Sequence, residues 1–233
     1  MAPNLRPTLT LASASPRRRE LLALLGAPFT VAPNDGEDQD LLPPESIVAA
    51  LPPCPLPLRQ HPAQLAWRKV YTASTLFDSG VIIGADTDVV LDGAVLGKPR
   101  DAADAAAMLA RLAGRDHTVY SGICVRHEDG ALRFALTRSE VTIAALRRDE
   151  IAAYVATGEP LDKAGAYGIQ GLGGRLVQRV TGSYTGVVGL PLEETHRLLR
   201  DAGVAGLSDP VAADLRLLSA QGKEPLPCPP TLP

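Results

Sequence analysis

The chain has 233 residues, 45% of them apolar and 21% charged, with a formal net charge of −3. That balance suits a globular protein with a sizeable core in one large domain or two small lobes, and a sequence pI of about 5.8 argues against a wide nucleic-acid-binding face. Cys54, Cys124 and Cys228 show neither metal-site spacing nor a disulfide framework, no apolar run reaches the ~18 residues of a membrane span, and MAPNLRPTLTLAS lacks the pattern of a signal peptide, so a cytoplasmic protein is expected.

Residues 8–13, TLTLAS, predict a short buried strand. A helix follows. Ser15 is a good N-cap, Pro16 falls where its missing N–H costs nothing, Leu21, Leu22 and Leu25 recur at helical spacing, and Gly26 can end the helix. Residues 33–62 are rich in proline and acid and predict a long loop with a helical turn near 45–50. A helix resumes over 62–77 and carries Trp67, Arg68 and Lys69. VIIGADTDVVLDGAVLGKP alternates like a strand, with Asp92-Gly93 as a hairpin turn.

Asp101 and Asp104 bracket the start of the next helix, whose buried face is Met108, Leu109 and Leu112 and whose end is Gly114. Residues 117–146 predict two or three antiparallel strands with a turn at 128–130. Then come a helix over 148–157, a glycine-dense loop over 158–174, a hairpin over 175–190 and a closing helix over 192–202. The Pro-rich chain beyond Gly203 is expected to fray. The hairpins argue against an all-parallel sheet, so the fold class is α/β with a mixed, partly antiparallel sheet flanked by helices.

Several nucleotide and hydrolase signatures are missing. GAVLGKP has the wrong spacing for a phosphate-binding P-loop, and GLGG lacks the G-x-G-x-x-G pattern. What remains is charge in places where local structure does not favour it. Arg17, Arg18 and Arg19 lie on the first turn of a helix, an end that already carries roughly half a positive charge. A solvated basic face is one reading, and a phosphate pocket beside the free N–H groups is the other. Asp86 interrupts an apolar strand and shares a face with Asp88; it reads either as a strand-end carboxylate in water or as a group that binds a metal or takes a proton from water. Lys69 and Lys98 read singly as surface lysines. The loop 158–174 holds six glycines, which let backbone approach a ligand, and Gln170 offers both a donor and an acceptor.

Taken in order, LASASPRRRELL, IIGADTDVVLDGAVLGKP, AAAMLARLAGRDHTVYSGI, GEPLDKAGAYGIQGLGG and GSYTGVVGLPL resemble the motifs of the Maf family of nucleotide pyrophosphatases over about residues 8–200. The resemblance implies a fold akin to the inosine-triphosphate pyrophosphatases, with two lobes around a cleft and a homodimer. It implies a nucleoside triphosphate substrate, cut between the α- and β-phosphates with a divalent cation, Mg²⁺ or Mn²⁺, and no nucleic-acid polymer or membrane partner. The motifs resemble those of the subgroup acting on dTTP and UTP. By resemblance Asp86 is the proton acceptor, Arg17, Thr87 and Gln170 govern substrate choice, Ser15, Arg18, Lys69 and Lys98 hold phosphates, and Glu37 with Asp86 holds the metal.

The chain departs from the family pattern in a Pro-rich insertion at about 38–62, in Asp88 where an apolar residue is usual, and in Thr185-Gly186. Residues 1–203 are expected to form the single Maf-like domain and 204–233 a Pro-rich tail. A nucleotide-binding regulator of septum formation without catalysis is the alternative reading, and a retained Asp86 and Lys98 favour catalysis.

Overall fold

A computed structural model describes residues 8–34, 36, 40–77 and 79–220. The elements run in the order β1 (Leu9–Leu11), α1 (Pro16–Leu24), β2 (Phe29–Val31), α2 (Glu45–Ala50), α3 (Pro62–Ser74), β3 (Val81–Leu91), β4 (Ala94–Leu96), α4 (Ala102–Leu112), β5 (Asp116–Arg126), β6 (Leu132–Ile143), α5 (Arg148–Val155), β7 (Val177–Thr181), α6 (Tyr184–Val188), α7 (Leu192–Asp201) and α8 (Pro210–Ala220). Their seven strands make one mixed sheet in the order β2-β1-β3-β5-β6-β7, with β4 also paired to β3.

The parallel part is β2-β1-β3, and every pairing from β3 to β7 is antiparallel. Alternation along β3 sends Val81, Ile83, Ala85, Val89 and Leu91 into a large core shared with α1, α4 and α7. Ile82 points the other way and packs with Ala66, Trp67 and Val70 of α3. Beyond α3 that second face is covered by the Pro-rich segment, whose Leu56 packs on Val90 and Tyr120.

Two expectations fail, each for a tertiary reason. The predicted hairpin over 175–190 is instead β7, paired to β6, followed by α6. Its β-branched residues suit a strand, but Ser183 accepts a hydrogen bond from the Gly186 N–H at 2.9 Å and starts a helical turn. Nor does the chain fray at Gly203. Asp209 accepts from the N–H groups of Val211 and Ala212 at 2.7 and 3.2 Å, with Pro210 opening α8. Ala213 and Leu217 of that helix are buried, the Ser208 N–H donates to Leu25 O at 2.7 Å, and Arg216 donates to Leu24 O at 2.9 Å. That Asp-Pro start was a cap pattern present in the sequence.

Candidate active site

The site arises from a gap in the pairing of β3. On one edge β1 pairs with Val81–Ile83, and β4 pairs with Val89–Leu91 on the antiparallel hairpin turned by Asp92 (φ 53) and Gly93 (φ 77). Between them, from Gly84 to Asp88, that edge has no strand beside it. The chain leaves β1 for α1 on one face, while α3 returns to β3 on the other. The crevice beyond the carboxyl end of β1, against the middle of β3, is therefore a topological switch point, where open α/β sheets bind their ligands.

A cleft of about 580 Å³ fills this place. It is lined by Ser15, Arg17, Arg18, Lys69, Asp86, Thr87, Lys98 and Gln170, so all the residues expected from sequence to carry chemistry converge there, save Glu37, which lies outside the described residues. Arg19, the third arginine of the first turn of α1, is exposed.

Lys69 reaches the site because α3 lies unusually close to the sheet. A Cβ on Gly122 would sit 2.1 Å from the Ala63 nitrogen, and one on Gly84 would sit 2.6 Å from the Ala66 carbonyl oxygen. Only glycine at these two positions permits that approach. Lys69 is 2% exposed, and its Nζ donates to Asp86 Oδ1 at 2.7 Å and to the Ala85 carbonyl at 3.2 Å. Burying an ammonium without a partner is costly, and Asp86 supplies the counter-charge.

From the other side comes α1. Ser15 caps the helix by accepting from the Arg18 N–H at 3.4 Å, while the Arg18 side chain donates from Nε to Gly189 O at 3.0 Å and from Nη1 to Ser13 Oγ at 3.4 Å. Its Nη2 lies 3.8 Å from Asp86 Oδ1. Asp86 thus stands between two cations on two different helices. Arg17 points across the mouth of the cleft and meets Asp162 Oδ2 at 3.4 Å.

Thr87 faces away from Asp86, bonded to Ser121 Oγ at 3.0 Å, and Ser121 in turn donates to Gly186 O at 2.7 Å. Asp88 does not line the cleft. It is cross-strand from Tyr120 on the face shared with Asp86. Burial, then the nearby Asp86 charge, push its carboxyl up to about 7 against the pull of Lys69 and Arg18, and its Oδ2 has no hydrogen-bond partner.

The structure adds lining residues that sequence reasoning left without a role: Ser13, Asn34, Lys163, Tyr167 and Gly189. Asn34 donates to Ala32 O at 3.1 Å and to Lys69 O at 3.4 Å, tying the start of the Pro-rich segment to α3. Tyr167 is buried, and its hydroxyl lies 2.8 Å from His117 Nε2. No residue spacing could have signalled the Asn34–Lys69 and Tyr167–His117 contacts, because their partners lie 35 and 50 residues apart in the chain.

Five cationic side chains (Arg17, Arg18, Lys69, Lys98 and Lys163) face three carboxylates in the cleft, while the whole chain is net negative. This is an α/β protein built to hold a small polyanion against a single central carboxylate. A sequence model described as Maf-like protein matches residues 8–202, and the chain belongs to that family.

Curated relatives match this chain over most of its length and nearly all of theirs. The dTTP/UTP pyrophosphatase of Anaeromyxobacter dehalogenans is 50% identical over 84% of this chain and 95% of its own. Those of Moorella thermoacetica and Methylobacillus flagellatus are 48% and 47% identical, again over 84% of this chain, and over 95% and 92% of theirs. A solved nucleoside-triphosphatase / dITP/XTP pyrophosphatase from Mycobacterium abscessus aligns at 15% identity with a TM-score of 0.39, over 84% of this chain and 94% of that one, a likeness too slight to build on.

Proposed function

We propose that this chain is a nucleoside triphosphate pyrophosphatase acting on dTTP and UTP, releasing the monophosphate and pyrophosphate. The observation that carries the reading is Asp86, a carboxylate at the floor of a cation-lined cleft, held between Lys69 and Arg18. The names of the curated relatives supply the substrate class.

In this reading the triphosphate lies along the cleft with its oxygens toward Arg18, Lys69 and Lys98 and the N–H groups at the start of α1. Fixed cations aimed at charge that develops on phosphoryl oxygens stabilise the transition state without reorganising. The same cations neutralise Asp86 before substrate enters. Once they turn to the phosphates, the carboxylate is left to accept a proton from water. The water oxygen bonds to phosphorus, the α–β bridging bond breaks, and its electron pair leaves on pyrophosphate. Arg17, Thr87 and Gln170 form the substrate-selecting group, with Gln170 reading the base edge through its amide.

A divalent cation fits this donor set. Mg²⁺ commonly takes one or two carboxylates, completing its shell with water and substrate phosphates, and Asp86 is a cleft carboxylate suited to that part. Among the described residues no cluster of three or more His, Cys, Asp or Glu side chains is placed to hold a metal. Mg²⁺ or Mn²⁺ would supply charge neutralisation of the phosphates. A homodimer in the cytoplasm belongs to the same reading, and light scattering at working concentration checks the dimer. No helix among the described residues is long and apolar enough to cross a membrane.

The test is a panel of nucleoside triphosphates with Mg²⁺ or Mn²⁺, scored by pyrophosphate release. Release from dTTP and UTP above the other nucleotides is expected. No release from any of them would remove the enzymatic reading.

A further inference from the structure

The loop that carries Gln170 has no strand and only three short 3-10 turns, Glu159–Asp162, Ala164–Ala166 and Leu172–Arg175. A segment so irregular does not hold a side chain in one place unless something ties it down. Two side chains do so. Tyr154, at the end of α5, is 5% exposed, and its hydroxyl accepts from the Gly168 N–H at 3.0 Å while donating to Glu159 Oε1 at 2.8 Å. Glu159 also accepts from Gly173 N–H at 3.0 Å through Oε1 and from Leu172 N–H at 2.9 Å through Oε2. Backbone N–H groups on both sides of Gln170 are therefore fixed to one Tyr–Glu pair.

The glycines of this loop serve the same pair. A Cβ at Gly171 would lie 2.5 Å from Glu159 Oε2, and one at Gly173 would lie 2.4 Å from the Tyr154 hydroxyl. At Gly168 it would lie 2.5 Å from Lys163 Cε and 3.1 Å from Glu159 Oε1. The sequence reads these glycines as room for a ligand; at these three positions the room is already taken by the protein's own side chains. Burial alone pushes the Glu159 carboxyl up, but the N–H groups of Gly173 and Leu172, the Tyr154 hydroxyl and the Lys163 charge together hold it below its ordinary value. The carboxylate is thus ionised at neutral pH and accepts charge-assisted bonds, which are the stronger kind.

We propose that Tyr154 and Glu159 are positioning residues for base selection: they fix the backbone of residues 168–173 and thereby the place of Gln170. The inference rests on the reading of Gln170 as the residue that meets the base. Neither side chain needs to touch the nucleotide. They act as one unit, since the Tyr154 hydroxyl bonds both the loop and the carboxylate.

The test compares kcat/KM for UTP with that for CTP in the full chain, in Tyr154→Phe, in Glu159→Gln, in the double variant and in Gln170→Ala. Amide exchange of the peptide spanning 168–173 is followed in each. Both single variants are expected to lower the UTP-over-CTP ratio about tenfold, chiefly through a higher KM for UTP, and to speed exchange in that peptide. The double variant should lose no more than the worse single one, because residues acting as a unit are not additive. Tyr154→Phe removes one oxygen atom and keeps the test open if Glu159→Gln fails to fold. A ratio lost in Gln170→Ala but intact in Tyr154→Phe and Glu159→Gln overturns the positioning role and leaves the reading of Gln170 standing, whether or not exchange speeds up. A ratio intact in Gln170→Ala removes Gln170 from base choice and overturns both.

Discussion

Asp86 interrupts an otherwise apolar strand, and its surroundings give that position a purpose: a buried lysine at 2.7 Å and an arginine at 3.8 Å. A positioned general base contributes about 10²–10⁴-fold. Asp86→Asn is therefore expected to lower kcat on dTTP by at least about 10²-fold while nucleotide binding, read by isothermal titration, persists; unchanged turnover would take Asp86 out of the mechanism. His117 makes a second residue-scale prediction. Burial lowers its imidazole from the ordinary 6.5 to about 4, with Asp116 opposing. The unfolded chain takes up this proton before the folded one does. The contribution to stability is fully present above about pH 6.5 and is lost as pH falls toward 4. Between pH 7.5 and pH 5.0 the loss is about 2 kcal/mol. Urea unfolding at both pH values should show His117→Gln losing less stability on acidification than the parent, and equal losses would contradict the assignment.

At the scale of elements, the distance between α3 and the sheet sets the chemistry. Lys69 meets Asp86 only because Gly84 and Gly122 let the helix down onto β3 and β5. Gly122→Ala places a methyl group against the backbone of Ala63, so the helix must move. Overpacking of this kind costs about 1–3 kcal/mol, and the displaced Lys69 should lower turnover as well. Thermal unfolding and kcat measured together check it, with Gly97→Ala, whose Cβ meets nothing within 4 Å, as the stability comparison. Stability and turnover both at parental level would mean the contact is slack. The α6 segment carries the opposite lesson. Tyr, Thr and two Val residues suit a strand, yet the Ser183 cap and the Thr185 hydroxyl, which accepts from the Leu192 N–H at 3.2 Å, hold it helical.

Over the whole molecule, the chain beyond Gly203 belongs to the folded body at least as far as Ala220, since α8 closes against α7 and the end of α1. Burying a leucine side chain is worth about 1.5–3 kcal/mol. With Leu217 and Ala213 removed, a chain ending at Gly203 should lose about 3 kcal/mol, seen as a lower urea midpoint. An unchanged midpoint would show that α8 adds nothing. By itself the sequence determined the parts governed by near neighbours: the Ser15 cap, the Asp92-Gly93 turn, the strand alternation around Asp86 and the mixed character of the sheet. Caps, turns and alternation depend on a few adjacent residues, and so did the motif order that carried the resemblance to the family. Tertiary structure alone decided the gap between β1 and β4, the descent of α3 that pairs Lys69 with Asp86, and the Tyr154–Glu159 strut beneath Gln170. Each joins residues from separate elements, and such contacts are fixed by packing that no local pattern encodes.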